Sequence, residues 1–367
     1  MLLNSLKYNN FRNHQFLYFK PADGITIIYG KNGSGKTSLL EGVHYCALTK
    51  GLVGANDSEC LSFLSEFFLL DANFTSDNEL PLSVKVTYTK EKEKKIIVNN
   101  SEVKPFSLHI GRIPCIIFTP SEMVIVTGSP IERRRFMDNA ICQTNSKYLH
   151  DLMAYRRVLT QRNALLLQIH EKHNIQKDML SLWTEHLAVH AAAIVYARVQ
   201  FIDAFNERFK QLYAQFSLDE HPCIVYRSSL PYEREQETSL DHLSSFFYKR
   251  YLQTEDQEIF RSQTITGPHR DELQFLINNK DIKKYASQGQ LRTFLITLKL
   301  SLHQYFLDFL DEKPICLLDD IFSELDASRV SSLFKILEPF GQTIITSTEK
   351  IAHQNVTTLS IESFRNP

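Results

Sequence analysis

Apolar positions change their period several times along the chain. The run Ile25-Thr26-Ile27-Ile28-Tyr29 is short and continuous, as in a strand buried on both faces, and it stops at a glycine. Gly30-Lys31-Asn32-Gly33-Ser34-Gly35-Lys36-Thr37 follows, and Ser38-Leu39-Leu40-Glu41-Gly42-Val43 opens a helix. Between residues 82 and 99, Leu82-Ser83-Val84-Lys85-Val86-Thr87-Tyr88 and Lys95-Ile96-Ile97-Val98 flank a charged stretch and predict a solvated hairpin. From Ser146 to Phe216 the period becomes helical: Leu180, Trp183, Leu187, Ile194, Phe201, Phe205, Phe209, Leu212 and Phe216 recur at three, four or seven and define one apolar stripe. With the earlier stretch from Tyr148 to Ile169, this predicts helices folded back on each other as an arm. The polar, Pro-containing stretch 217–260 gives no assignment. Beyond it the pattern predicts a helix over 291–310 and strands at Ile315–Leu318 and Thr343–Thr346. The expected class is α/β.

The glycine segment has the spacing G-x-x-x-x-G-K-[ST], and each residue type has a mechanical reason. Glycines let backbone N–H groups curl around phosphates, and the following helix offers its positive end to the anion. Gly30, Lys31, Asn32, Gly33, Ser34 and Gly35 are therefore expected to cradle a nucleotide. Lys36 supplies a point charge for the β- and γ-phosphates, and Thr37 a hydroxyl for Mg²⁺. A P-loop enzyme also needs an acidic residue at the end of an apolar strand. Ile315-Cys316-Leu317-Leu318-Asp319-Asp320 meets that need: Asp319 would hold Mg²⁺ directly or through water, and Asp320 would orient and deprotonate an attacking water. A strand running into an acidic turn would look the same. Ser287-Gln288-Gly289-Gln290, about thirty residues before Asp319 and just ahead of a predicted helix, offers a second anion-binding terminus. Ser323-Glu324-Leu325-Asp326 lies just beyond the carboxylates.

Composition narrows the setting. Of 367 residues, 43% are hydrophobic and 23% charged, which excludes a disordered chain. No unbroken apolar run reaches the roughly 18 residues of a membrane span, and the N-terminus leads into a strand-like pattern instead of a signal peptide, so a cytoplasmic protein is expected. The six cysteines lack a C-x-x-C pair, and neither zinc nor disulfides are indicated. A net charge of -1 gives no bulk sign of nucleic acid, so any DNA contact needs a local patch. Arg133, Arg134 and Arg135 open a stretch through Arg162 that also holds Lys147, Arg156 and Arg157, against Glu132, Asp138 and Asp151. It is the best local candidate for phosphate contacts, although charge runs on helices are commonly solvated faces.

Taken together, this order of elements resembles the ABC-type ATPases, in which the serine-glycine signature of one subunit caps the ATP held by the other. The gap of about 280 residues between Lys36 and Asp319 resembles the SMC-like members, which insert a helical arm there. Phe11-Arg12-Asn13-His14, Thr127-Gly128-Ser129-Pro130, Arg133-Arg134-Arg135-Phe136-Met137-Asp138, Gly267-Pro268-His269-Arg270-Asp271-Glu272, Ser287 to Gln290 and Leu317 to Asp326 are similar to the RecF family over essentially the whole chain. The resemblance implies a head built from 1–130 plus 261–367 and an arm over 131–260. It implies an ATP-dependent homodimer that binds duplex DNA beside single-stranded gaps, works with RecR and RecO to load RecA, and uses ATP and Mg²⁺. By the same resemblance Arg12 lies near the phosphates, while Ser287, Gly289 and Gln290 reach the partner subunit's nucleotide. Gln288 and Asp320 depart from the general ABC pattern, which has glycine and glutamate there; the shorter carboxylate predicts slow hydrolysis. Where many ABC ATPases have a histidine switch after the last strand, this chain has Thr346 or Ser347. Two other readings stay open: an ATPase serving a protein partner or a defence system without touching DNA, and a small-molecule P-loop kinase.

Overall fold

The computed structural model of the chain describes residues 1–172, 177–230, 239–325 and 327–364. They belong to two compact units. One draws on Met1–Thr127, Arg208–His221 and the chain from Tyr285 onward, the other on Gly128–Glu207 and Pro222–Lys284. Both differ from the division expected from sequence. Residues 208–221 pack with the first unit because Phe209 and Tyr213 meet Phe294 edge-on, with ring centroids 4.8 and 6.2 Å away. Residues 261–284 join the second because a strand there pairs with another at 222–227.

Before the second unit the chain forms β1 (Leu2–Phe11), β2 (His14–Phe19), β3 (Ile25–Tyr29), β4 (Phe67–Thr75), β5 (Pro81–Thr89), β6 (Lys94–Val98), β7 (Ser101–Glu102) and β8 (Cys115–Phe118). The second unit contributes β9 (Pro222–Arg227), β10 (Glu272–Ile277) and β11 (Lys280–Asp281); β12 (Ile315–Leu318), β13 (Thr343–Ser347) and β14 (Val356–Ser360) return to the first.

Among the described residues the first unit holds two sheets. One is five-stranded and parallel, in the order β14-β3-β13-β12-β8; the other is six-stranded and antiparallel, in the order β2-β1-β4-β5-β6-β7. Every residue of β12 and β13 is buried, and β12 accordingly reads as an unbroken apolar run. In β5, by contrast, Val84, Val86 and Tyr88 alternate inward with more exposed neighbours. The helix Lys36–Leu48 lies between the layers, where Leu39, Leu40, Val43 and Cys46 join Tyr8, Phe11, Phe68 and Leu70 in one core. Register aligns Tyr29 with Ser347 and Leu318 with both Ile345 and Phe118. The carboxyl ends of β3, β12, β13 and β8 therefore open side by side, where parallel sheets bind ligands.

In the second unit the helices Pro130–Thr144, Ser146–Lys172, Lys177–Tyr213 and Leu240–Arg261 accompany the antiparallel sheet β11-β10-β9. The expected stripe is largely the buried one: Leu180, Leu187, Ile194, Phe201 and Phe205 are inaccessible, although Trp183 is partly exposed. Where the helix enters the first unit, Phe209 stays buried and Tyr213 replaces Leu212 as the inward residue. By length and composition this helix would pass as a membrane span, yet half of its most apolar window is buried inside the protein. The helix Leu240–Arg261 falls in the stretch that sequence left unassigned. Its buried Leu243, Phe247 and Tyr251 recur every four residues, a legible signal; residues 231–238, just before it, lie outside the described residues.

Candidate nucleotide-binding site

The glycine loop joins β3 to the helix Lys36–Leu48. Gly33 (φ 76°) and Gly35 (φ 95°) sit in the left-handed region that side chains disfavour. Space also demands glycine at 35, because a Cβ there would come within 2.6 Å of His14 and 2.7 Å of Asn13. Gly35 is the N-cap, yet it offers no capping side chain, and the first helical turn holds no acidic residue. No N-cap side chain takes the leading N–H groups, an arrangement suited to an anion at this helix end.

Lys36 folds back over the loop, its Nζ donating to the carbonyls of Gly30 (2.6 Å) and Lys31 (3.0 Å). Burial pushes its pKa below the ordinary lysine value, against the pull of Asp320 and Asp319. The Thr37 hydroxyl donates to Asp319 Oδ2 at 2.8 Å, and Thr346 to the other oxygen at 2.6 Å. Burial raises the Asp319 pKa, and the two hydroxyls partly offset that rise. Asp320 adopts a left-handed φ of 46°. Its N–H donates to Thr346 Oγ1 at 3.0 Å and its Oδ2 accepts from Ser323 at 2.9 Å. Thr346, the doubtful switch position, therefore ties the Asp319 carboxylate and the Asp320 backbone to the end of β13. A cleft of about 320 Å³ opens over Lys36, Thr37, Asp319 and Asp320. A hydroxyl and a carboxylate in contact at its floor are hard oxygen donors of the kind Mg²⁺ takes, so the residues present fit that ion.

Of the other residues expected at the site, Asn32, Gly33 and Gly35 also line the cleft. Gly30, Lys31 and Ser34 build the loop behind it, with Ser34 N–H donating to Lys31 O at 3.2 Å. Arg12 does not line it. Its guanidinium grips Glu41 through Nε (2.6 Å) and Nη2 (2.5 Å), and the next residue, Asn13, faces the cleft. Ser287 caps the helix Gln288–Leu310 in a reciprocal capping box with Gln290, whose Nε2 reaches Glu220 at 2.9 Å. Ser287, Gly289 and Gln290 are not among the residues lining the cleft. Asp326 lies outside the described residues. Sequence reasoning missed Asn13, Ser38, Pro120 and Thr348, which line the cleft too. Asn13 is adjacent to a residue already singled out, and Pro120 follows the apolar run of β8, so both had a local signal.

The basic stretch divides on inspection. Arg133 is pinned to Glu272 at 2.9 Å with its side chain 11% exposed, and Arg134 donates to the carbonyl of Asp271 at 2.7 Å. Arg135 is exposed but leans on Glu132, and Arg162 is wholly buried against Glu258. Lys147, Arg156 and Arg157 face solvent.

Strand, glycine loop and helix beside a second strand ending in carboxylates define the head of a P-loop ATPase of the ABC type. Residues 5–340 match the family model described as an AAA domain. The fold is similar to the Smc head bound to the C-winged helix domain of ScpA (TM-score 0.54, 12% identity, 95% of this chain and 90% of that one). It is much closer to a structure of the recombination mediator protein RecF, described as RecF-ATPrS in the RecFOR pathway (TM-score 0.89, 29% identity, 97% and 95% covered). The chain is 50% identical over 368 residues, all of both proteins, to the DNA replication and repair protein RecF of Chlorobium luteolum. To that of Chlorobium phaeovibrioides it is 52% identical over 353 residues, 96% of this chain and 95% of the relative. The chain belongs to the RecF family.

Proposed function

We propose that this chain is an ATP-gated clamp on DNA, acting in the cytoplasm in replication and recombinational repair. The observation that carries the reading is the contact between Thr37 and Asp319, 2.8 Å apart across 282 residues of sequence, at the mouth of a glycine loop. The loop N–H groups and the end of the helix Lys36–Leu48 bind the polyphosphate, and Lys36 exchanges its two carbonyl partners for phosphate oxygens. Thr37 and Asp319 would hold Mg²⁺, which offsets phosphate charge when bound. Asp320 takes the proton of the attacking water, held by Thr346 and Ser323. Its short side chain makes hydrolysis slow, suited to a timed switch.

Two copies close on two nucleotides, with Ser287, Gly289 and Gln290 of each reaching the γ-phosphate bound by the other. The exposed helix start at Ser287, away from the cleft of its own chain, supports this arrangement. Closure brings two modest basic surfaces onto one duplex and makes the second contact intramolecular. Similarity to proteins described as acting in the RecFOR pathway supports RecR and RecO as partners, binding beside single-stranded gaps, and RecA loading as the outcome. The test is DNA binding by the full chain with and without ATP. Affinity that rises with ATP is expected; equal affinity in both conditions would reject the clamp. Asp320→Asn should slow single-turnover hydrolysis by about 10²-fold or more and let ATP-bound dimers accumulate. Hydrolysis at the parent rate would remove Asp320 as the base.

A further inference from the structure

We infer that Glu41 is a positioning residue for nucleotide binding, acting through Arg12 on the Asn13-His14 turn that walls the cleft; the inference rests on the proposal that the cleft binds ATP. Glu41 lies on the helix behind the glycine loop with its side chain 5% exposed. One carboxylate there organises three backbone segments. Its Oε2 accepts Arg12 Nε at 2.6 Å, and its Oε1 accepts both Arg12 Nη2 at 2.5 Å and the Leu52 N–H at 2.9 Å. Arg12 adds bonds from Nη1 to the Glu59 carbonyl (2.7 Å) and from its own N–H to Cys60 O (2.8 Å).

Arg12 has φ 54°, a backbone state that a residue with a side chain keeps only when its surroundings fix it. The bidentate ion pair with Glu41 is the strongest of those constraints. Two consequences follow directly along the chain. Asn13 is aimed into the cleft, and His14 Nε2 sits 3.0 Å from Gly35 O, where both side chains press on the glycine that caps the P-loop helix. Glu41 does not line the cleft, and of its partners Arg12 is the one whose chain neighbour does.

A double-mutant cycle on the full chain tests this, with ATP affinity read by titration and folding by denaturant. Glu41→Gln keeps the shape and an oxygen for Leu52 but loses the ion pair. Arg12→Lys keeps the charge but cannot bridge both carboxylate oxygens, and lies partly in solvent, so it reports even if the buried substitution fails to fold. Each single change should weaken ATP binding about tenfold, and the double change should be no weaker than the worse single one, because both break one link. Turnover of Glu41→Gln at saturating ATP should stay at the wild-type value, a split between affinity and rate that loss of folding would not give. Losses that multiply in the double variant, or wild-type affinity in either single variant, would overturn the inference alone. A wild-type chain that does not bind ATP would overturn the nucleotide reading and this inference with it.

Discussion

The cleft and the interior of the second unit both bury charge, and they treat it in opposite ways. Inside the second unit Arg198, 2% exposed, donates to Asp138 Oδ1 (2.9 Å), Asp271 Oδ2 (3.3 Å), the Pro268 carbonyl (2.8 Å) and the Tyr148 hydroxyl (3.1 Å). The Tyr226 hydroxyl and the Ser229 N–H complete the shell of Asp271. Lys36 in the cleft instead holds two neutral carbonyls, with Asp319 and Asp320 attracting it without touching it. A cation locked between carboxylates cannot leave without stranding them, whereas one resting on carbonyls can change partner when a polyphosphate arrives. Closed networks of charge hold the fold; loosely held charge marks the site.

The sharpest way to break this comparison is Arg198→Met, which strands Asp138 and Asp271 in the interior. Unfolding in urea should show a loss of about 3–5 kcal/mol, with ATP affinity of the folded protein unchanged. A loss below about 1 kcal/mol would mean that the network is replaceable. Lys36→Ala is the converse. ATP affinity should fall about hundredfold and ATP-dependent dimers should vanish, while stability shifts by less than about 1 kcal/mol, since only bonds to two carbonyls are lost. A variant that still dimerises with ATP would sink the P-loop assignment.

Asp319 gives a smaller effect with a defined sign. Burial raises its pKa above the ordinary value of 3.8, so ionisation in the folded protein is disfavoured relative to the unfolded chain. Its contribution is full below the unfolded value and is lost as pH rises through the folded one. Asp319→Asn escapes that loss, so without ligand the variant should melt higher than wild type near neutral pH, with the gap closing on acidification. Mg²⁺-dependent ATP binding should move the other way and be lost. A variant that melts lower than wild type at neutral pH would make Asp319 a stabilising part of the ligand-free fold.

The same contrast governs what could be read in advance. The strands β3, β12 and β13 were legible within a residue because burial on both faces leaves short apolar cores, Ile27-Ile28, Ile315 to Leu318 and Ile344-Ile345. The P-loop was legible because its chemistry is local: Gly35 must be glycine for backbone and space alike. Of the six-stranded sheet the hairpin β5–β6 and the strand-like start of the chain were legible; the sheet as a whole was not, since β1 turns Leu3, Leu6, Tyr8 and Phe11 inward across a shift of register between Leu3 and Ser5, which breaks the period of two. Thr348 reaches the cleft from a segment placed by the sheet and not by its own sequence. Arg133 and Arg134 are ambiguous for a different reason: an arginine that anchors a carbonyl or carboxylate reads the same in sequence as one that faces a phosphate.

That ambiguity leads to the smallest predicted effect. Arg133 and Arg134 are held by Glu272 and by the carbonyl of Asp271, whereas Arg156 is 65% exposed with its nearest carboxylate, Asp138, 3.9 Å away, and Arg157 faces solvent. If DNA phosphates meet the second unit, Arg156 and Arg157 can neutralise them at the expense of no more than the long Arg156–Asp138 pair. Arg156→Ala and Arg157→Ala should each flatten the salt dependence of ATP-stimulated DNA binding by about 0.9 in log–log slope, on every sequence alike, with stability within about 0.5 kcal/mol of wild type. ATP affinity should be untouched. Arg133→Ala and Arg134→Ala should do the reverse, lowering the unfolding midpoint while leaving the slope in place. A slope that responds to Arg133 and Arg134 but not to Arg156 and Arg157 would mean that these two anchored arginines give up their internal partners for phosphate, and the rule that closed charge serves only the fold would fail in this protein.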